Sequence, residues 1–199
     1  MIYDYHVVLG VITSLMAFVA YGIYFRSIFA GFTKPNPFSW FIFAVLDGTV
    51  FFAQILNGGG PGSWTMGISG LLAAITFLVA LQRGEKRIVK LDWACLCIAL
   101  IGIGGWLITN NALVAVALAA LTDAIAKVPT IRKSYVRPDE ESISIWSIDV
   151  VRFSLSIIAL TSITLTTALS PAEIAFTNAI VVGVVLFRRW QLAAKVEKG

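Results

Sequence analysis

Ionisable side chains inside apolar segments are the residues of this sequence that could do chemistry. Five of them occupy three segments: Asp47; Asp123 and Lys127; Asp149 and Arg152. A charge at bilayer depth costs at least about 2.5–3.5 kcal/mol. These side chains are therefore expected to face a protein interior or a wet chamber rather than lipid. The i,i+4 spacing of the Asp123 pair and the i,i+3 spacing of the Asp149 pair allow ion pairing along one helix face.

These charges have two interpretations, a polar chamber with a carboxylate that changes protonation, or ion pairs that only join helices. Lys127 is expected to be structural, with its ammonium near the cytoplasmic surface. Arg152 is expected to pair with Asp123, which leaves Asp47 free to exchange protons. Pro129 is the predicted hinge. The predicted substrate-binding or coupling residues are Asp47, Asp123, Asp149, Arg152, Asn178 and Gln54.

The composition is that of a membrane protein. Of the 199 residues, 58% are hydrophobic and 13% charged, whereas a soluble domain has about 25% charged residues. The net charge of +4 is spread over short turns, so membrane lipid rather than nucleic acid is the expected surrounding partner. No signal peptide is predicted before the first apolar segment.

The residues needed for most enzymes are missing from the pattern. The sequence has no Ser/His/Asp set and no phosphate-binding loop, and His6 is its one histidine. Cys95 and Cys97, at i and i+2 of one segment, point to different sides of a helix and favour neither a disulfide nor a metal pair. We therefore predict no enzyme activity, no metal and no cofactor.

The apolar pattern predicts seven membrane-spanning segments, since a span needs roughly 20 mostly apolar residues. Turn-like residues separate them, and Ser170-Pro171 is the last of these separators. The predicted segments are 6–28, 37–57, 64–82, 91–109, 112–131, 143–168 and 172–190.

The positive residues predict the orientation. Of fifteen Lys and Arg, thirteen follow the first, third, fifth and seventh segments, and the other two are Lys127 and Arg152. Positive residues stay cytoplasmic. The amino terminus is therefore predicted outside and the carboxyl terminus in the cytoplasm, in the plasma (inner) membrane.

The sequence also contains an internal repeat. Arg26 and Trp40 are separated by the same spacing as Arg132 and Trp146, and each pair brackets a turn between two apolar segments. Two such three-helix units are parallel only if one extra helix joins them, as in parallel-repeat transporters. The predicted fold is all-α, with seven transmembrane helices in two parallel triple-helix bundles (1–83 and 110–199) joined by a linker helix (84–109).

The run Pro129-Thr130-Ile131-Arg132-Lys133-Ser134, followed by Ser142 and Ser144, resembles the PQ-loop and SWEET superfamily, which often has Pro-Gln at this place. The resemblance implies the 3+1+3 plan and transport of a small polar solute by alternating access. A scaffold or assembly subunit, in which the ion pairs are structural, is the alternative. A retinal protein is disfavoured because no Lys lies between Glu173 and Phe187. The solute, proton coupling and homo-oligomerisation stay open.

Overall fold

The computed structural model describes residues 4–108 and 111–196, and in this part of the chain every regular element is helical. This confirms the predicted all-α class. The seven α-helices are α1 (Tyr5–Phe29), α2 (Pro37–Leu56), α3 (Trp64–Arg83), α4 (Lys90–Leu107), α5 (Ala112–Val136), α6 (Ile143–Ile158) and α7 (Leu165–Val196). Two short 3-10 turns, Gly60–Ser63 and Pro138–Glu140, precede α3 and α6.

Side-chain caps explain where two of these helices begin. The Asn36 side chain accepts hydrogen bonds from the first backbone N–H groups of α2, and Pro37 follows it at the first helical position, where a missing N–H costs nothing. Asn111 caps α5 in the same way, through the N–H groups of Leu113 and Val114. Both helices therefore start where the sequence predicts.

Within the described part of the chain, five helical stretches are long and apolar enough to cross a membrane. They are Tyr5–Phe29, Pro37–Leu56, Gly60–Arg83, Ala112–Val136 and Leu165–Ala194. These lengths and compositions are consistent with an integral membrane protein. Helix α6 has 16 residues, about 24 Å at 1.5 Å per residue, and is shorter than the roughly 30 Å of a hydrocarbon core.

The predicted boundary between the last two segments is wrong. Helix α6 ends at Ile158, and α7 begins at Leu165 and continues through Pro171, the predicted separator. Proline lacks the N–H that would bond the carbonyl four residues earlier. Here that carbonyl belongs to Thr167, and Gln54 Nε2 of α2 donates to it at 2.7 Å. A bond from another helix thus lets α7 pass through the proline.

The two halves of the chain use the same packing pattern. Helix α3 packs against both α1 and α2, and α7 packs against both α5 and α6. Between the halves, α1 packs against α6 and α2 against α5, while α4 packs mainly against α5. Exchanging α1 with α5, α2 with α6 and α3 with α7 leaves these pairings unchanged apart from that of α4, as expected for related halves.

The basic turns meet at one end of the bundle, which we call the basic end. Lys133 Nζ, at the end of α5, donates to the carbonyl of Lys34 in the turn after α1 at 2.6 Å. Arg137 forms an ion pair with Glu85 in the turn after α3. Arg189, near the end of α7, donates to the carbonyl of Glu141 at 2.9 Å. The four basic segments therefore share one end, in agreement with the charge alternation.

Candidate functional site

The predicted site residues come together at the junction of the two halves. Five of the six line one buried cavity of about 20 Å³: Asp47, Asp123, Asp149, Arg152 and Asn178. A water molecule needs roughly 10–15 Å³ of such space, so the cavity holds one water and no larger solute. We call it the central cavity. Aromatic residues form much of the remaining wall: Tyr21, Trp40, Phe43, Trp146 and Phe153.

Ion pairs in the central cavity form within helices. Lys127 pairs with Asp123 along α5, and Arg152 Nε donates to Asp149 Oδ1 at 2.6 Å along α6. The expected pair between Arg152 and Asp123 is not formed, and Arg152 pairs instead with Asp149, one turn earlier on the same helix. Arg152 Nη1 also donates to Ser69 Oγ of α3 at 2.8 Å, which links the two halves.

Lys127 does not extend to the membrane surface, and that expectation is wrong. Lys127 is 2% exposed, and its ammonium lies 5.2 Å from the centroid of the Phe43 ring of α2. The Asp123 carboxylate and the aromatic face together stabilise the ammonium inside the protein. The structural ion pair predicted for Lys127 is therefore present, but it lies at the centre of the bundle.

Three polar groups on the cavity wall lack partners. Within the described residues, the Asp47 carboxylate, 6% exposed, has neither a hydrogen bond nor an ion pair. Arg152 Nη2 and Asn178 Oδ1 are buried without a hydrogen-bond partner among the described atoms. A buried polar group without a partner costs about 1–3 kcal/mol. One free donor and two free acceptors thus surround a space at the interface of the halves.

Gln54 and Pro129 have different surroundings. Gln54 does not line the central cavity, and its side-chain amide donates to the Thr167 carbonyl of α7. Pro129 lies inside α5, and Ser39 Oγ of α2 donates at 2.5 Å to the carbonyl of Ala126 beside the proline. Helix α2 therefore bonds to both proline-containing helices, and Gln54 lies outside the central cavity.

Glu173 is a site residue that the sequence did not lead us to predict. With α7 starting at Leu165, Glu173 lies more than two turns inside the helix rather than at its beginning. It lines a second cavity of about 10 Å³ together with Asp47 and Asp123. The missed signal was Thr164 with Thr167, which exchange bonds between backbone N–H and side-chain hydroxyl at the start of α7, as in a capping box.

Aromatic rings separate the central cavity from the basic end. The rings of Trp40 and Trp146 lie 6.0 Å apart across the two halves. Trp146 Nε1 donates to Glu141 Oε1 at 3.1 Å, and Glu141 forms a fully buried ion pair with Lys133 at 2.5 Å. The basic end is therefore closed by a tryptophan pair anchored to a charge network.

One carboxyl of this network lies outside the spans and has a shifted pKa. Burial acts to raise the pKa of Glu140, but the hydrogen bond from Lys34 Nζ and the charge of Arg137 outweigh it and lower the pKa below its usual value. The Lys34 Nζ to Glu140 Oε1 distance is 2.9 Å. Glu140 is therefore ionised and paired at neutral pH.

Close backbone packing closes the opposite end. A Cβ on Gly62 would lie within 3 Å of backbone atoms of Ser156, Ala159 and Leu160 at the end of α6. Thr161 Oγ1 donates to the carbonyl of Gly58 at 2.7 Å. The turn before α3 thus packs into the non-helical stretch between α6 and α7. The structure is closed at both ends around the two cavities.

The arrangement can bind a small polar group or move a proton. Three carboxyl groups and two cationic groups line the central cavity. Within residues 4–108 and 111–196, no three His, Cys, Asp or Glu side chains are placed to hold a metal ion. Comparison with known protein families, curated proteins and solved structures finds no match for this chain.

Proposed function

We propose that the protein is a membrane transporter for a small polar solute, working by alternating access between two three-helix units. The observation that carries the proposal is the closed polar cavity at the interface of the two halves, where unpartnered groups of Asp47, Arg152 and Asn178 converge. Unpartnered buried polar groups cost stability, so their retention is better explained by a ligand than by packing. Sites at repeat interfaces are typical of transporters.

The proposed architecture has seven spans in a 3+1+3 plan, as in the PQ-loop and SWEET superfamily. The repeated packing pattern supports it, with α4 outside both three-helix units. The short helix α6 would complete its crossing through the non-helical residues 159–164, where the N–H and the hydroxyl of Thr161 donate to carbonyls of Gly59 and Gly58 in the turn before α3. With the basic end in the cytoplasm, the amino terminus is outside.

Alternating access would open the two ends in turn. The basic end would open by parting Trp40 from Trp146 and by breaking contacts of the Lys133–Glu141 pair. The opposite end would open by lifting the turn around Gly62 from the end of α6. A cavity that holds one water must widen to admit a solute, so we interpret this conformation as closed.

Uptake into liposomes tests the proposal. Purified protein is reconstituted, and entry of radiolabelled glucose, alanine, glycerol and methylammonium is measured with and without an imposed pH gradient. We expect saturable uptake of at least one compound that is lost in Asp47→Asn and retained in Asp139→Asn. Asp139 is a matched control because its side chain is exposed at the basic end. Uptake of all four at the rate of empty liposomes would count against transport.

A membrane scaffold or assembly subunit is the second candidate. The observation in its favour is that both ion pairs form within single helices, where they could serve folding alone. In that case Asp47→Asn would have no effect on any solute flux, whereas Asp123→Asn would reduce the yield of folded protein. Size-exclusion chromatography of Asp123→Asn beside the uptake assay separates the two candidates.

A further inference from the structure

The second cavity differs from the central one in its chemistry. Its polar wall consists of three carboxyl groups, Asp47 of α2, Asp123 of α5 and Glu173 of α7, and the hydroxyl of Ser170. The remaining lining residues are apolar. It shares Asp47 and Asp123 with the central cavity and extends from there toward the end opposite the basic end, where α7 begins.

Glu173 and Asp47 are the two carboxyl groups of this cavity that form no ion pair within the described residues, whereas Asp123 is paired with Lys127. Both carboxyl oxygens of Glu173 are buried without a hydrogen bond of good geometry among the described atoms, and its near neighbours are the Asp123 carboxyl and the Thr177 hydroxyl. The cation that acts on Glu173 from the neighbouring helix α5 is Lys127, which is already paired with Asp123. An isolated carboxylate in such a place is very unfavourable unless it is neutralised.

Ser170 gives independent support for a ligand at this place. It is 3% exposed, lines the same cavity, and its Oγ has no hydrogen-bond partner among the described residues. A serine inside a helix ordinarily satisfies its hydroxyl on a preceding carbonyl, as Ser69 does with Thr65. The free hydroxyl of Ser170 lies one turn before Glu173, on the side from which a small ligand would arrive.

We propose that Asp47, Asp123 and Glu173 form a binding site for a coupling proton, with Glu173 as the group that receives it from the end opposite the basic end. A metal cation is disfavoured because these side chains are not placed to coordinate one. The inference rests on the proposed transport function, and adds a residue and a direction of entry to it.

The proton step is a simple exchange between carboxyl groups. Glu173 accepts a proton from the solvent at the end opposite the basic end and becomes neutral. It then donates this proton to a carboxylate across the cavity. Asp47 has no cation paired with it, and Asp123 can accept a proton when Lys127 moves away. Farther along, Asp149 and Arg152 of α6 remain paired and hold the charge of the central cavity fixed. Release toward the basic end then completes the transfer.

Infrared spectroscopy of the protein in lipid nanodiscs tests the site without any solute. The C=O stretch of protonated carboxyl groups is recorded against pH, with and without carbon-13 in the glutamate carboxyls. We expect a carboxyl band at neutral pH that the label shifts and that Glu173→Gln abolishes. Glu140→Gln is the matched control, because Glu140 is an ionised, paired glutamate at the basic end.

Two results would overturn the proposal. The first is a labelled spectrum with no protonated glutamate at neutral pH. The second concerns the salt of the sample, which is choline chloride in the first measurement. Loss of the band after replacing choline chloride by sodium chloride would assign the site to a sodium ion. Isotope labelling of the unmodified protein keeps the test valid even if Glu173→Gln does not fold.

The transport assay is read separately. If one of the four compounds is taken up, we expect Glu173→Gln to retain uptake but to lose its dependence on the pH gradient. If none is taken up, the proposed function fails while the infrared result still decides whether a proton site exists.

Discussion

The first and second halves of the chain share a packing frame but contribute different chemistry to the cavities. Aligning Arg26 with Arg132 and Trp40 with Trp146 gives the matching positions. At these positions Tyr21 matches Lys127, Phe43 matches Asp149 and Asp47 matches Phe153, and all six side chains line the central cavity. The first half thus supplies aromatic surface and one carboxylate, and the second half supplies both ion pairs.

This difference separates what the repeat conserves from what it does not. The helix order, the basic turns and the tryptophan pair recur in both halves, and they determine where the cavities lie. The charges follow no such symmetry, since an aspartate and a phenylalanine exchange places between α2 and α6. The repeated features thus account for the packing of the two halves, whereas the charges of the cavities come from positions at which the halves differ.

The largest expected effect comes from breaking a charge pair of the second half. Arg152→Leu should destabilise the protein by about 3–5 kcal/mol, because it leaves Asp149 buried without its cation. The matching residue of the first half, Leu46, is already leucine. Thermal unfolding in detergent measures the loss. Asp149→Leu in the same protein should recover most of it, and no recovery in the double variant would contradict the pairing.

A different outcome is expected for Asp47, the carboxylate that the first half contributes to the central cavity. Asp47→Asn removes a buried acid that has no partner among the described residues, so we expect folding to be unchanged or improved by about 1 kcal/mol. Solute uptake should nevertheless fall at least tenfold. Unfolding and uptake measured on one preparation check this. A strongly destabilised Asp47→Asn protein would show that Asp47 has a packing role instead.

The next effect concerns the prolines Pro129 and Pro171 of the second half, at whose matching positions the first half has Ile23 and Thr65. Pro171 leaves the Thr167 carbonyl without its donor inside α7, and Gln54 of α2 supplies one. Gln54→Leu leaves the Thr167 carbonyl without its donor, and should cost about 1–3 kcal/mol. Asn57→Leu is a matched control, because Asn57 bonds within its own helix at an exposed position. Equal unfolding temperatures of the two variants would argue against support of α7 by Gln54.

The sequence allowed the helical class, the starts of α2 and α5, and most of the central cavity to be predicted. Caps such as Asn36 and Asn111 act on the helix start next to them, so the sequence shows them directly. Charges in apolar segments must avoid lipid in any fold, so their place inside the protein can also be predicted. Gln54 and Glu173 could not be placed correctly, because their surroundings depend on where α7 begins. Helix α7 begins at the local cap formed by Thr164 and Thr167. Its continuation through Pro171 is supported by the bond from Gln54 of α2 across the bundle, against the local tendency of Ser170-Pro171 to end a helix.

The smallest expected effect concerns Lys34 and Glu140, which occupy matching positions in the two halves and carry opposite charges. The two side chains form an ion pair at the basic end, which joins the two halves because their matching positions carry opposite charges. Because pairing lowers the pKa of Glu140, its contribution is present at neutral pH and disappears as the pH falls through that lowered pKa. A partly exposed pair of this kind contributes about 0.2–1 kcal/mol.

Charge reversal tests whether this pairing, rather than either residue alone, matters at the basic end. Lys34→Glu should lower the unfolding temperature slightly at neutral pH, because it places two carboxylates together. It should lose this effect in acid, where both become protonated. Adding Glu140→Lys should restore the original stability and its pH profile, since the pair is then formed with the charges exchanged. If the double variant is no more stable than Lys34→Glu, Glu140 depends on Arg137 instead, which also binds it at 2.6 Å.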